Sequence, residues 1–409
     1  MRNENFKRKR TFGKSSDSPN RSGGKSRFGG GGGGRSNKRK KTELNPDSLI
    51  NEAKPIDEKP YIPERTFSEL PLDGRLKDRI ANKGFVNPTE IQDKTIEDLI
   101  AGHDLMGIAN TGTGKTGAFI IPVIQQLLTS GAANRALILV PTRELALQVE
   151  EEFKSLTQGL KLFCTCLIGG TSVGRNIQQL RRTNHVIIGT PGRVQDLIDR
   201  RALRLQNFST LILDEFDRML DMGFVNDVMR ITDEMIDKKQ TILFSATVNN
   251  KQKTSIAKLL DNPKEVRVSS GKTSAGHIEQ NIVRIGRGED KFDVLLNVIK
   301  QDDCYRVLVF AETKRWVGRL TTQLKKAGVM ADEIHGDKSQ SYRQRALQKF
   351  KAGKIQVLVA TDVAARGIDV DDISLVVNYE LPQDMESYVH RIGRTGRAGK
   401  PGKALTLVA

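Results

Sequence analysis

The segment ANTGTGKT, residues 109–116, restricts what this chain can become more than any other. A glycine-rich turn closing on Gly-Lys-Thr directs backbone N–H groups inward around phosphates and sets a lysine beside them. Ninety-eight residues on from Thr116 comes LILDEFD, where the apolar run Leu211–Leu213 delivers Asp214 and Glu215 to the edge of a sheet. A strand-borne carboxylate near the loop's threonine suits Mg²⁺, which takes few protein ligands and keeps waters and phosphate oxygens. Together the two segments imply a site for a Mg²⁺–nucleoside triphosphate. Ala109 stands where the strict loop pattern has glycine.

Charge separates a body from a tail. The chain carries a net +17 over 409 residues, and residues 1–41 hold 14 Lys and Arg against Glu4 and Asp17. That stretch has almost no aliphatic residues, so it cannot bury enough surface to offset its ordering entropy. Disorder is expected there. Phe6, Phe12 and Phe28 interleave with arginine and glycine, which suits loose, salt-sensitive contact with nucleic acid or, alternatively, an import signal. No apolar run reaches membrane-spanning length, and no signal-peptide core opens the chain. Cys164, Cys166 and Cys304 make neither a disulfide framework nor a metal set, which points to a reducing compartment.

Beyond a basic tail and linker (1–62), short β-branched runs alternate with amphipathic stretches over 63–268: DLMGIA, ALILVP, LFCTCLI, HVIIGT, TLILDE, TILFSAT. A polar linker (269–276) interrupts them. A second series fills 277–409: NIVRI, VLVFAET, IQVLVAT, LVVNYE, ALTLVA. Such alternation predicts parallel sheets covered by helices. The series are copies: Thr142 and Thr313 close matching strands at an offset of 171 residues, and Thr190 and Thr361 repeat that offset. Two similar domains in tandem would each offer strand-end threonines to one extended ligand. The segment HRIGRTGR at 390–397 adds arginine forks able to meet phosphate across a cleft.

In this order the motifs resemble those of the DEAD-box ATP-dependent RNA helicases, from about Phe67 to the last residue. They are Phe67 with GFVNPTEIQ (84–92), ANTGTGKT, PTRELALQ (141–148), Gly169-Gly170, TPGR (190–193), DEFD (214–217) and SAT (245–247). VFAET (309–313), Gln340 with Arg343, ATDVAARGID (360–369) and HRIGRTGR follow. The resemblance implies an α/β protein of two tandem RecA-like parallel-sheet domains behind a disordered basic tail rich in Gly, Arg and Lys. It implies ATP and Mg²⁺ as cofactors, and RNA-stimulated hydrolysis coupled to local unwinding of short duplexes or ribonucleoprotein remodelling.

Residue by residue, the resemblance assigns the adenine to Gln92, with Thr89 beside it and Phe67 stacking on the ring. The phosphates fall to Ala109, Thr111, Gly112, Thr113, Gly114, Lys115 and Thr116, and the ribose to Asp369. Thr116 and Asp214 would share the metal, and Glu215 would orient or deprotonate the attacking water. Arg391 and Arg394 would meet the γ-phosphate, while Ser245, Thr247, Asp217 and His390 would couple hydrolysis to closure. Backbone contacts to RNA would come from Arg143, Gly170, Thr190 and Arg193, then from Thr313, Arg343, Thr361 and Gly367. Such contacts are independent of sequence and tell RNA from DNA through the 2′-hydroxyl.

The expected partners are single-stranded and short duplex RNA, with the tail as auxiliary contact, no membrane and a monomeric protein. The compartment is cytoplasmic, or nuclear if the source is eukaryotic. An ATP-gated RNA clamp and a DNA translocase are the alternatives to the helicase. Two departures from the family pattern carry expectations of their own. Phe216 replaces the usual alanine and should face away from the phosphates with activity retained, although its ring could perturb a link from Asp217 to the second domain. The chain stops at Ala409, straight after an apolar strand, which reads as a minimal second domain or a truncated product.

Overall fold

The computed structural model describes residues 44–52, 61–110, 112–130, 134–248, 250–268, 277–365, 368, 370, 372–396 and 402–408. Thr42–Ala409 form one compact unit, within which two sheets each carry their own core. The first sheet comprises β1 (Leu105–Ile108), β2 (Arg135–Leu139), β3 (Cys164–Leu167), β4 (Val186–Gly189), β5 (Phe208–Leu213), β6 (Gln240–Ser245) and β7 (Lys264–Arg267). Its helices are α1 (Gly74–Asn82), α2 (Glu90–Ile100), α3 (Lys115–Ser130), α4 (Arg143–Leu156), α5 (Val173–Leu180), α6 (Pro191–Asp199), α7 (Phe216–Asp221), α8 (Val225–Asp233) and α9 (Asn250–Leu259). The second sheet comprises β8 (Ile278–Arg284), β9 (Val307–Phe310), β10 (Ala331–Ile334), β11 (Val357–Ala360), β12 (Leu375–Asn378) and β13 (Gly402–Val408). Its helices are α10 (Lys291–Ile299), α11 (Lys314–Lys326), α12 (Gln340–Lys351), α13 (Asp362–Ala365) and α14 (Met385–Ile392).

The first sheet runs β3-β4-β2-β5-β6-β1-β7 and the second β10-β11-β9-β12-β13-β8, every ladder parallel. Apart from β7, the two orders are the same. Strands such as Val186–Gly189 and Val357–Ala360 are buried throughout, as a sheet covered on both faces requires. A glycine enters β1 for a packing reason. Gly107 lies in register with Phe244 of β6, and a Cβ there would collide with that ring.

The repeat read from the threonines is a repeat of structure. Thr142 and Thr313 cap α4 and α11 with nearly identical backbones (φ −125°, ψ 153° and φ −122°, ψ 150°), and each hydroxyl accepts a backbone N–H three residues on. Two strands escape the sequence reading. In β7 all four residues are at least partly exposed, and β10 reads ADEI, so neither offers an apolar run. No helix among the described residues is long and apolar enough to cross a membrane.

One expectation is corrected. Residues 1–62 were expected as disordered tail and linker, yet Pro46–Leu49 form a 3-10 turn and Asn51 bridges antiparallel to Gln280 of β8. Leu49 supplies the reason, since its side chain is buried against Ile278, Tyr388, Ile392 and Ala404. Tyr61, at the other end of the same stretch, donates to Asp93 Oδ2 at 2.6 Å on the first domain. The rest of the tail, residues 53–60 and the linker 269–276 lie outside the described residues.

Candidate functional site

Two candidate sites form where strands of both sheets end: a cleft around the glycine-rich turn and a groove. The cleft is built around the turn between β1 and α3, where Gly112 and Gly114 take φ +86° and +94°. The turn must also stay slim. A Cβ on Gly114 would lie 2.6 Å from Thr89 Oγ1 and 2.8 Å from Gln92 Nε2. Gln92, buried at the start of α2, accepts Thr89 N–H at 2.9 Å and donates to Gly114 O at 2.9 Å. The segment 84–92 and the glycine-rich turn are therefore wired together.

Lys115 is 6% exposed and folds back to donate to Ala109 O at 2.8 Å, while Thr113 Oγ1 donates to Asn110 O at 2.9 Å. Asp214 and Glu215 follow β5, both buried. Glu215 sits in the left-handed region (φ 53°, ψ 50°), a conformation non-glycine residues rarely hold, and Asp214 Oδ1 accepts its N–H at 2.9 Å. Burial pushes the Asp214 carboxyl up to about 6, against the pull of Lys115. Burial also opposes charge on Glu215, but Arg218, Lys115, Arg394 and His390 outweigh it and hold that carboxyl below its ordinary value. Arg218 is in direct contact, with Nη1 3.0 Å from Glu215 Oε2.

His390 and Arg394 belong to the second domain, so the cleft draws charge from both halves. Arg391 does something else. Its fork is held by both oxygens of Asp362 at 2.6 and 2.7 Å and by Asn378 and Glu380 O, over the ring of Phe310. Arg391 lines a small pocket together with His390 and Arg394. Arg394 lies past the end of α14 and donates to Ile368 O at 2.8 Å.

Of the four residues expected to couple hydrolysis to closure, Asp217, Ser245 and Thr247 meet within the first domain, while His390 lies on α14 of the second. Asp217 Oδ2 accepts Ala246 N–H and Thr247 N–H at 3.1 and 3.2 Å, with Thr247 Oγ1 at 3.4 Å. Ser245 Oγ donates to Thr247 O, and Ser245 O accepts Ala109 N–H of the phosphate loop. Among the described residues, these contacts of Asp217 lie in the first domain. Phe216 points into the core at 0% exposure, as its position between two acidic residues allows. Phe67 is also buried, at 3%, in the core beneath α2, so its ring offers no open face to a base. Phe85, inside GFVNPTEIQ, is 44% exposed, with Lys83 Nζ 5.3 Å from its ring centre. Thr111, Asp369 and Gly367 lie outside the described residues.

The groove encloses about 350 Å³ and is lined from the first domain by Arg143, Gly169, Thr190 and Arg193, and from the second by Gly336, Arg343 and Val363. The Arg143 guanidinium lies flat against Gly169 and Gly170, and a Cβ on Gly169 would stand 2.9 Å from it. Arg193 is braced by Asn176 Oδ1 at 2.6 Å and Thr171 O at 3.2 Å, and burial lowers its pKa. Thr313 is exposed at the head of α11, and Thr361 N–H donates to Ile334 O. Arg343 lines the groove and is also paired with the first domain. Its Nη2 lies 2.9 Å from Glu144 Oε2, both side chains buried, and Gln340 donates to Glu144 Oε1 at 3.1 Å. The two domains are latched there. Met222, Phe224 and Gly336 also line the groove, and no motif in the sequence marked them.

Family models agree with this division. The DEAD/DEAH box helicase model matches residues 89–256, and the helicase conserved C-terminal domain model matches 290–399. The chain is 44% identical over 342 residues to the ATP-dependent RNA helicase CshA of Listeria monocytogenes, covering 84% of this chain and 66% of that one. It is 43% identical to the DEAD-box ATP-dependent RNA helicase CshA of Bacillus licheniformis, covering 84% and 70%. It belongs to the DEAD-box helicase family.

Among solved structures, S. cerevisiae Dbp5 bound to RNA and ADP BeF3 superposes with a TM-score of 0.75 at 31% identity, covering 84% of this chain and 89% of that one. Mss116p bound to ssRNA and AMP-PNP gives 0.74 at 30%, covering 88% and 77%. This DEAD-box chain spans about two thirds of the length of the curated relatives it matches. Its two RecA-like domains account for that shared part, and Phe216 is a departure carried inside it.

Proposed function

We propose that this chain is an RNA-stimulated ATPase that couples hydrolysis to local separation of short RNA duplexes or ribonucleoprotein remodelling. One observation carries the reading: the groove is lined from both domains, which meet where Arg343 Nη2 lies 2.9 Å from Glu144 Oε2. Closure completes the groove, and in this reading hydrolysis depends on it. The names of the relatives, and the RNA and nucleotide analogues in the structural neighbours' titles, support the same assignment.

Gln92 reads the adenine edge, and Phe85 rather than Phe67 offers the exposed ring. Lys115 exchanges Ala109 O for phosphate oxygens, and the loop's inward N–H groups hold the rest. One hydroxyl (Thr116) and one buried carboxylate (Asp214) are hard oxygen donors and fit Mg²⁺, which when bound neutralises charge on the β- and γ-phosphates. Glu215 takes the proton of the water that attacks the γ-phosphorus as the bond to the β-phosphate oxygen breaks. Arg394 meets the charge on the transferred group, and Arg391 keeps α14 and α13 in place. Phosphoryl transfer is mostly positioning and charge stabilisation, so these groups suffice.

RNA lies along Arg143, Gly170, Thr190, Arg193, Thr313 and Thr361, recognised by backbone and 2′-hydroxyl. The protein works as a cytoplasmic monomer with the basic tail as an auxiliary contact. The test is ATP turnover with no nucleic acid, with single-stranded RNA and with single-stranded DNA, alongside Glu215→Gln. Stimulation by RNA alone, lost in the variant, is the expected result. Equal stimulation by DNA would point to a translocase. Tight ATP-dependent RNA binding without multiple-turnover strand separation would point to a clamp.

A further inference from the structure

The segment Asn45–Asn51 lies ahead of the first domain in the chain, yet it packs on the second. Three kinds of contact hold it. Leu49 is 2% exposed in a pocket of Ile278, Tyr388, Ile392 and Ala404. Asn51 and Gln280 exchange backbone hydrogen bonds at 3.0 and 2.9 Å on β8, the outer strand of the second sheet. Asp47 Oδ1 meets Arg284 Nη2 at 2.5 Å, an exposed pair that guides register more than it stabilises.

Two walls of the Leu49 pocket, Tyr388 and Ile392, are one turn apart on α14. The Tyr388 hydroxyl donates to Gln280 Oε1 at 3.0 Å, with Leu49 O at 3.4 Å. His390 projects from the far side of that helix, Arg391 is braced against Asp362 from its flank, and Arg394 follows it directly. Any shift of α14 away from β8 therefore moves His390 and Arg394, whose charge acts on Glu215. A strand edge alone could be covered by any residue, but a leucine wedged between β8 and this helix fixes the helix itself.

We infer that Leu49 is a positioning residue for ATP hydrolysis, holding α14 so that Arg394 and His390 face Glu215. This rests on the proposed function. It differs from a stabilising cover because it acts on turnover rather than on substrate binding.

The test compares the full chain with Leu49→Asp and the volume-conserving Leu49→Met. ATP turnover at saturating RNA is read together with amide hydrogen exchange over Met385–Ile392. In Leu49→Asp, kcat is expected to fall about fivefold or more, with KM for ATP and half-stimulating RNA within about twofold. Exchange should quicken about tenfold in α14 and little in β9 or β11. Leu49→Met should keep most of the activity. Unchanged kcat in Leu49→Asp overturns the inference, as does faster exchange spread evenly over the second domain. A raised KM at constant kcat overturns it too. A wild-type chain without RNA-stimulated turnover overturns the proposed function itself, and the inference with it.

Discussion

Phe216 occupies the third position of the acidic motif, where the family pattern has alanine, and its whole ring is buried among Leu, Ile, Val and Met side chains. Removing a buried phenyl ring leaves a cavity and costs about 3–5 kcal/mol. Phe216→Ala is accordingly expected to lower the first domain's unfolding midpoint sharply in denaturant melts without raising ATP turnover. A tenfold gain in turnover would mean the ring is a brake rather than a core residue.

His335 behaves differently because it titrates. It is 8% exposed, its Nδ1 has no partner among the described residues, and burial lowers its pKa. The unfolded chain binds this proton near pH 6.5, the folded chain only below it. Its contribution to stability is then full above about pH 6.5 and is lost as pH falls through the lowered value. His335→Gln should flatten the decline in melting temperature between pH 7 and 5 relative to wild type. An identical decline in both proteins would remove His335 as its cause.

At the scale of elements, α4 and α12 meet through Glu144, Arg343 and Gln340. Stranding one member of a buried pair costs about 3–5 kcal/mol, far more than the pair itself contributes. Arg343→Ala should therefore cut RNA-stimulated turnover at least about tenfold, and adding Glu144→Gln should restore part of the loss. Strictly additive losses in that double-mutant cycle would mean the two side chains act separately.

The same contact shows where sequence legibility ends. Strands with apolar runs, the phosphate loop, the acidic strand end and the paired threonines each leave a local pattern, and each stands where that pattern puts it. Arg343, Arg391 and Asp217 also sit in recognisable motifs, but their partners are Glu144, Asp362 and residues 246–247, far off in the chain. Spacing carries no information about such partners. Strands β7 and β10 were hidden because edge positions need no apolar run, and Leu49 because a single side chain has no period.

For the molecule as a whole, charge is the least evenly distributed property. Of the net +17, +12 lies in residues 1–41, so the part carrying both sites is nearly balanced. Under the proposed function, attraction to RNA would divide into a small, placed set of contacts in the groove and a diffuse one from the tail. Each phosphate neutralised adds about 0.7 to the slope of log affinity against log salt for a single strand. Deleting residues 1–41 should flatten that slope by several phosphate equivalents while leaving ATP turnover at saturating RNA within about twofold. Binding titrations from 50 to 300 mM salt, on long and short single strands, check this directly. A long strand lets the tail reach phosphates outside the groove, so the difference between full-length and shortened chains should be larger there. If the slope does not change on either strand, the groove supplies all the phosphate contacts and the tail's charge serves some other end.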